Sequence, residues 1–178
     1  MRIISGKHRG RLLSGFKGES IRPTADRAKE ALFNIYKDQL LGRDFLDLFC
    51  GSGNVGIEAL SRGASVVMCD VSAESVALTK KNLDLLGENC PVCKMDALDF
   101  LSSTTGRFDY IFIDPPYKDE VGLKALAVIG DRGLLKDGGV AIYERDREVC
   151  AEIKGLKFIR SRKYGKAVFN FYGRAENV

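Results

Sequence analysis

Apolar residues recur along this chain with two periods, and the alternation of those periods predicts its elements. Short runs rich in Val, Ile and Phe read as strands at Phe45–Phe49, Ser65–Cys69, Pro91–Met95, Tyr110–Ile113 and Val140–Glu144. Between them, helical spacing covers Val55 to Arg62, Ser72 to Leu86 (Val76, Leu83 and Leu86 inward) and Val121 to Ile129. Upstream, Thr24 suits an N-cap for a helix reaching about Leu41, with Ala28, Ala31, Leu32 and Ile35 on one face. Lys136-Asp137-Gly138-Gly139 reads as a turn into the fifth strand. Two last runs, Phe158–Arg162 and Ala167–Tyr172, flank Tyr164-Gly165-Lys166 and predict a hairpin. At the start, Arg2–Gly6 and Arg9–Leu13 read as two short strands about Gly6-Lys7-His8. Strands alternating with helices imply an α/β fold around a mostly parallel sheet, with helices on both faces. The final hairpin adds one antiparallel edge strand, for seven strands in all. We expect residues 1–22 to form a basic β-hairpin extension and 23–178 a single globular unit.

Two motifs sit where predicted strands end. The first is Asp47-Leu48-Phe49-Cys50-Gly51-Ser52-Gly53-Asn54-Val55-Gly56, a strand running into a glycine turn and a helix. Glycines let a backbone approach a ligand closely and adopt positive φ. The next strand ends in Asp70, so strand, glycine turn, helix, strand and acid form a nucleotide-binding βαβ unit whose acid can bond ribose hydroxyls. Gly51-x-Gly53-x-x-Gly56 also fits the dinucleotide fingerprint, which makes a nicotinamide enzyme the natural competitor. Asp47 argues against it: a carboxylate before the glycines disfavours a pyrophosphate but suits an ammonium. S-adenosylmethionine carries an α-amino group and no phosphate.

The second motif, Asp114-Pro115-Pro116-Tyr117, follows the strand Tyr110–Ile113. Its prolines fix φ and donate no ladder hydrogen bond, so the chain leaves the sheet rigidly. One carboxylate, one proline carbonyl and one aromatic face are then held together. That set suits a planar base with an exocyclic NH2: two acceptors for two N–H donors, and a ring to stack on. For a lone Asp-Pro-Pro a strand end with a turn is the better explanation; its pairing with the glycine motif favours chemistry.

Charge is segregated along the 178 residues although the net is only +4. Residues 1–43 hold 10 Lys/Arg against 4 Asp/Glu, residues 157–178 hold 6 against 1, and the middle holds 12 against 19. An acidic body with basic ends suggests a large polyanionic partner, solvated surface charge being the plain alternative. The five cysteines are scattered. Cys50, Cys69 and Cys150 lie on or beside predicted strands as small buried hydrophobes. Cys90-Pro91-Val92-Cys93 lacks a second pair, and the only histidine is His8, so no metal is expected. No apolar stretch approaches the roughly 20 residues of a membrane helix. The opening lacks a signal peptide's apolar region, and reduced thiols fit the cytoplasm.

Taken together, the chain resembles the class I S-adenosylmethionine-dependent methyltransferases, with their Rossmann-like fold. Within them it is similar to the bacterial 16S ribosomal RNA guanine-N2 methyltransferases of the RsmD type. The general motifs are Asp47–Gly56, Asp70, Asp96 and Asp114–Tyr117; the narrower match is Arg22-Pro23-Thr24-Ala25-Asp26-Arg27 with Glu30–Asn34, and the opening Arg2–Gly6. Cys50 departs from the Ala expected in many relatives.

The resemblance implies that Asp47, Phe49, Gly51 and Gly53 hold the methionine part of S-adenosyl-L-methionine. Asp70 and Val71 would take the ribose side, Asp96 and Ala97 the adenine, and Pro23 and Thr24 would close over the cofactor. Asp114, Pro115 and Tyr117 would receive the base, and S-adenosyl-L-homocysteine would be the product. Arg2, Lys7, Arg9, Arg11, Lys163 and Lys166 are candidates for RNA phosphates. The implied substrate is 16S rRNA in a small ribosomal subunit, at a guanine-966-type site, with a monomeric enzyme. Asp-Pro-Pro-Tyr alone leaves open an adenine-N6 methyltransferase on DNA or RNA. A nicotinamide-dependent oxidoreductase and a non-catalytic nucleotide-binding module remain as readings from other classes.

Overall fold

The computed structural model describes residues 1–17, 23–116 and 120–175, with the side chains of residues 23–26 and 38 outside that description. Four strands run parallel: β1 (Asp44–Asp47), β2 (Ser65–Asp70), β3 (Val92–Lys94) and β4 (Phe108–Ile113). β5 (Leu135–Arg145) continues the parallel set beside β4, and β6 (Leu156–Tyr164) and β7 (Ala167–Arg174) form the C-terminal hairpin. The order across the sheet is β3-β2-β1-β4-β5-β7-β6. β7 inserts antiparallel between β5 and β6, which leaves β6 outermost. The expected seven-stranded, mostly parallel sheet is therefore present.

Helices cover both faces. α1 (Pro23–Tyr36), α2 (Asn54–Ser61) and α3 (Ala73–Leu86) bury Leu32, Phe33, Ile57 and Leu83 against one face, joined by Ile3 and Leu13 of the N-terminal segment. α4 (Ala97–Ser103) and α5 (Val121–Arg132) bury Phe100, Leu101, Leu126 and Ile129 against the other. The central strands carry the consequence of this double cover: all six residues of β4 are buried, and after Asp109 the strand reads as a continuous apolar run, Tyr110–Ile113.

Several local expectations change. α1 begins at Pro23, so Thr24 lies inside the helix rather than capping it. Proline suits a first helical position because its missing N–H would be unpaired there anyway. The helix ends at Tyr36 and a short 3-10 turn, Lys37–Leu40, completes the run toward Leu41. The N-terminal hairpin forms only the bridge Arg2↔Leu12, not two strands, since docking on the helices replaces a longer ladder. Lys136–Gly139 does turn, but as a bulge inside β5: Phe108 pairs with Leu135, then Tyr110 with Val140. Cys150 is exposed, five residues beyond the end of β5, whereas Cys50 and Cys69 are buried. α4 was not expected. It is one short apolar turn pair, capped by Asp96, that sequence periodicity cannot separate from loop.

Candidate active site

Strand order reverses between β1 and β4, and a crevice opens there beyond the carboxyl ends, where open α/β sheets bind ligands. A cleft of about 660 Å³ occupies this edge. Phe49 and Gly51 line it after β1, Asp70 and Val71 at β2, Ser72 and Ser75 at the start of α3, Asp96 after β3, and Asp114, Pro115 and Pro116 after β4. Motifs 67 residues apart in sequence therefore meet because their strands are neighbours. A larger cleft of about 870 Å³, between the 150–158 segment and Arg174, lies at the opposite edge and holds none of the motif residues.

The glycine turn is built from below. Asp70 accepts from Gly51 N–H (2.9 Å) through one oxygen and from Ser72 N–H (2.8 Å) through the other. Thr79 Oγ1 donates to the Gly51 carbonyl (2.9 Å) and Asn82 Nδ2 to that of Ser52 (2.9 Å). Asn82 also accepts from Ser14 N–H (2.8 Å), tying the N-terminal segment to the turn. Gly56 lets α2 press onto the sheet: a Cβ there would lie 2.5 Å from Met68 Sδ. Asp70 keeps lone pairs for a ribose hydroxyl, since each of its oxygens accepts one bond. Asp96 uses a single oxygen to cap α4, accepting from Leu98 N–H (2.8 Å) and Asp99 N–H (3.3 Å). Its other oxygen stays available, and buried Ala97 opens the helix beside it.

Two carboxyls differ from these. Asp47 is 1% exposed; one oxygen accepts from Gly56 N–H (2.8 Å) and the other has no hydrogen-bond partner among the described residues. It stands behind the cleft wall rather than lining it. Burial pushes its pKa from 3.8 to about 7, opposed by the Gly56 bond and reinforced by the charges of Asp114 and Asp70. Asp114 is half-buried and likewise raised to about 7 by burial. It makes no hydrogen bond or ion pair among the described residues.

Tyr117 lies outside the described residues, as do the side chains of Pro23 and Thr24. The six cations divide. Lys163 and Lys166 stand at the β6–β7 turn, and because Val168 pairs with Arg145, that turn is at the carboxyl edge with Asp114. The hairpin tip instead meets the opposite ends of α2 and α3. Lys7 N–H donates to the Ser61 carbonyl (2.8 Å), Lys7 Nζ pairs with Glu88 (2.7 Å), and Arg11 donates to the Leu85 carbonyl (2.9 Å). Arg9 is exposed between them, and Arg2 gives its carbonyl to Lys29 Nζ (2.8 Å). That lysine belongs to a buried group that sequence reading missed. Glu58 accepts from Ile4 N–H, Ser5 N–H and Arg62 Nε, with Lys29 Nζ at 3.4 Å. The signal for Thr79 and Asn82 was legible: both are polar residues on the side of α3 that buries Val76 and Leu83.

Comparison with known proteins bears on this constellation. The family model described as "Conserved hypothetical protein 95" matches residues 1–173. The chain belongs to this family, the RsmD-type methyltransferases. YlbH of Bacillus subtilis is 39% identical over 173 residues, 93% of this chain and 94% of its own. Ribosomal RNA small subunit methyltransferase D of Haemophilus influenzae is 35% identical, covering 83% of this chain and 80% of its own. The solved structure of yhhF from Escherichia coli superposes with a TM-score of 0.86 at 30% identity, over 98% of this chain and 97% of that one. The methyltransferase fold and family expected from the motifs are thus established.

Proposed function

We propose that this protein transfers a methyl group from S-adenosyl-L-methionine to the exocyclic N2 amine of a guanine in 16S rRNA, acting as a cytoplasmic monomer on the small ribosomal subunit. The observation that carries the reading is Asp114: a carboxylate without a partner among the described residues, followed by two prolines on the cleft that Asp70 and Asp96 also enter. The cleft fits the cofactor on three counts. Asp47 leaves a buried acceptor unsatisfied near a site for an ammonium group. Nothing lies within 4 Å of a Cβ placed on Gly51, so the turn offers bare backbone to a ligand. Asp70 and Asp96 each present spare acceptor capacity to hydroxyl and amine donors. When bound, S-adenosyl-L-methionine supplies an electrophilic methyl on a sulfonium centre.

The residues of the chain then do the positioning. An aromatic NH2 is a weak nucleophile because its lone pair is delocalised into the ring. Accepting its two N–H bonds at the Asp114 carboxylate and the Pro115 carbonyl turns the lone pair out of conjugation. The same contacts strengthen as positive charge develops on nitrogen, so they favour the transition state over the ground state. With a pKa near 7, Asp114 Oδ is also suited to take the proton that the nitrogen sheds. Tyr117 would stack on the base, which must be unpaired or flipped to reach the pocket. Lys163 and Lys166 would hold flanking phosphates, and Arg2, Lys7, Arg9 and Arg11 more distant ones.

Two measurements test the reading. S-adenosylhomocysteine should bind in calorimetry and NAD should not. Tritiated methyl should pass to unmodified small subunits, with the label recovered as N2-methylguanosine after digestion. Tighter binding of NAD, or label on adenine N6, overturns it.

A further inference from the structure

Among the described residues, strand β6 is the edge of the sheet, hydrogen-bonded only to β7. An edge strand exposes a row of unpaired backbone groups. Here that edge carries Lys157, Arg160, Arg162 and Lys163, followed by Lys166 in the turn, all exposed. None of the five forms an ion pair among the described residues. Ser161, between Arg160 and Arg162, donates its hydroxyl to Glu148. On neighbouring strands, Lys136 of β5 and Arg174 of β7 each pair with an aspartate. The Arg160 guanidinium carbon lies 5.4 Å from the centroid of the Phe171 ring, a cation–π contact that holds the group at this edge.

The direction of the strand matters as much as its charge. β6 runs antiparallel to β7, which runs antiparallel to β5, so β6 ends at the same edge as the Asp114 cleft. From Lys157 to Lys163 the strand extends about 20 Å, and its end lies three strand spacings, roughly 14 Å, from β4. Arg160 and Arg162 share one face, paired with Phe171 and Phe169, while Lys163 turns to the other. The register shift at Ile159 bends the strand, as bulges at sheet edges do.

We propose that the β6 edge is the track along which a single-stranded RNA segment lays its phosphates while presenting its base at Asp114. This inference rests on the proposed function and extends it to Lys157, Arg160 and Arg162. Charge complementarity selects the occupant: unpaired cations over 20 Å or so suit a polyanion, and an uncharged strand would have to desolvate them to add to the sheet. The tip of the N-terminal hairpin is a poorer track, because Lys7 and Arg11 are already engaged at the far edge.

The test compares salt dependence of binding to a single-stranded rRNA fragment for the wild type, for K157Q/R162Q/K163Q and for the charge-keeping K157R/K163R. Loss of three phosphate contacts at about 0.7 each should lower the log–log salt slope by about 2. The K157R/K163R slope should stay at the wild-type value, and S-adenosylhomocysteine affinity should be unchanged in all three. The kcat/KM for RNA should fall in step with affinity. If wild type binds RNA and the triple variant binds it with the same slope, the track is wrong and the proposed function stands. Self-association of the triple variant in sedimentation, with RNA binding intact, would show that these cations only guard the edge, and also overturns the inference. A wild type that neither binds RNA nor transfers methyl removes the proposed function itself, and the track with it.

Discussion

Strands β1 and β4 lie side by side, and each has an acid near both of its ends. At the amino ends are Asp44 and Asp109. Lys136 Nζ bridges them, at 2.9 Å from Asp109; Arg43 reaches Asp109 at 3.1 Å, and Asp44 N–H donates to it at 2.8 Å. Despite burial, those partners hold the Asp109 pKa below its ordinary value. At the carboxyl ends are Asp47 and Asp114, neither with an ion pair among the described residues and both raised to about 7. Same strands, same residue type, opposite electrostatics. A fold that can neutralise a pair of acids at one edge leaves the other pair bare. Of the bare pair, Asp114 lines the cleft and Asp47 stands behind its wall, which is where a cationic or N–H-rich ligand gains most from carboxylates without a cation partner.

The largest effect that would break this comparison is on turnover. Asp114→Ala should cut methyl transfer by roughly 10²–10³, by analogy with losing one preorganised charge-stabilising group. S-adenosylhomocysteine binding should be largely intact. Near-wild-type turnover would reduce the Asp-Pro-Pro segment to a turn. Asp47→Asn should weaken S-adenosylhomocysteine by about 1–3 kcal/mol in calorimetry, the scale for a lost charged acceptor. The same variant should raise the melting temperature of the free protein at pH 8, because the buried charge is gone. Asp109→Ala should do the reverse: it removes a carboxylate with three donors, lowering stability by about 1–3 kcal/mol and leaving cofactor affinity unchanged.

Proton linkage sharpens the contrast. A carboxyl raised from 3.8 to about 7 holds its proton more tightly folded than unfolded, so Asp47 and Asp114 subtract stability as pH rises between those values. Asp109 is lowered, so its contribution is present above its unfolded pKa and is lost as pH falls through that of the folded state. Thermal unfolding should therefore show Asp47→Asn gaining on wild type from pH 5 to 8, and Asp109→Ala converging with wild type in acid. A flat difference across pH would contradict either assignment. Smallest of all, Arg9→Glu with Arg11→Glu should leave S-adenosylhomocysteine affinity untouched. These residues face the amino edge, so the change in methyl transfer should be less than that from altering Lys163 and Lys166.

The sequence by itself determined the order of elements, the parallel sheet and the acids at successive strand ends. These are local signals: period, glycine turns and prolines act within a few residues of where they are written. It also marked Asp114 and the glycine turn, because each ends a strand that periodicity identifies. The tertiary structure alone decided the rest. That Asp44 and Asp109 are neutralised while Asp47 and Asp114 are not depends on Lys136, 92 residues from Asp44, reaching one edge and not the other. The buried group at Glu58 depends on a hairpin docking across α2, and Asn82 serves the glycine turn only because α3 lies under it. The basic N-terminus and the basic β6 are alike in composition. Chain direction in the sheet sends one tip away from the cleft and the other toward it. Charge is written in the sequence; its partners and its distance from the chemistry are set by packing.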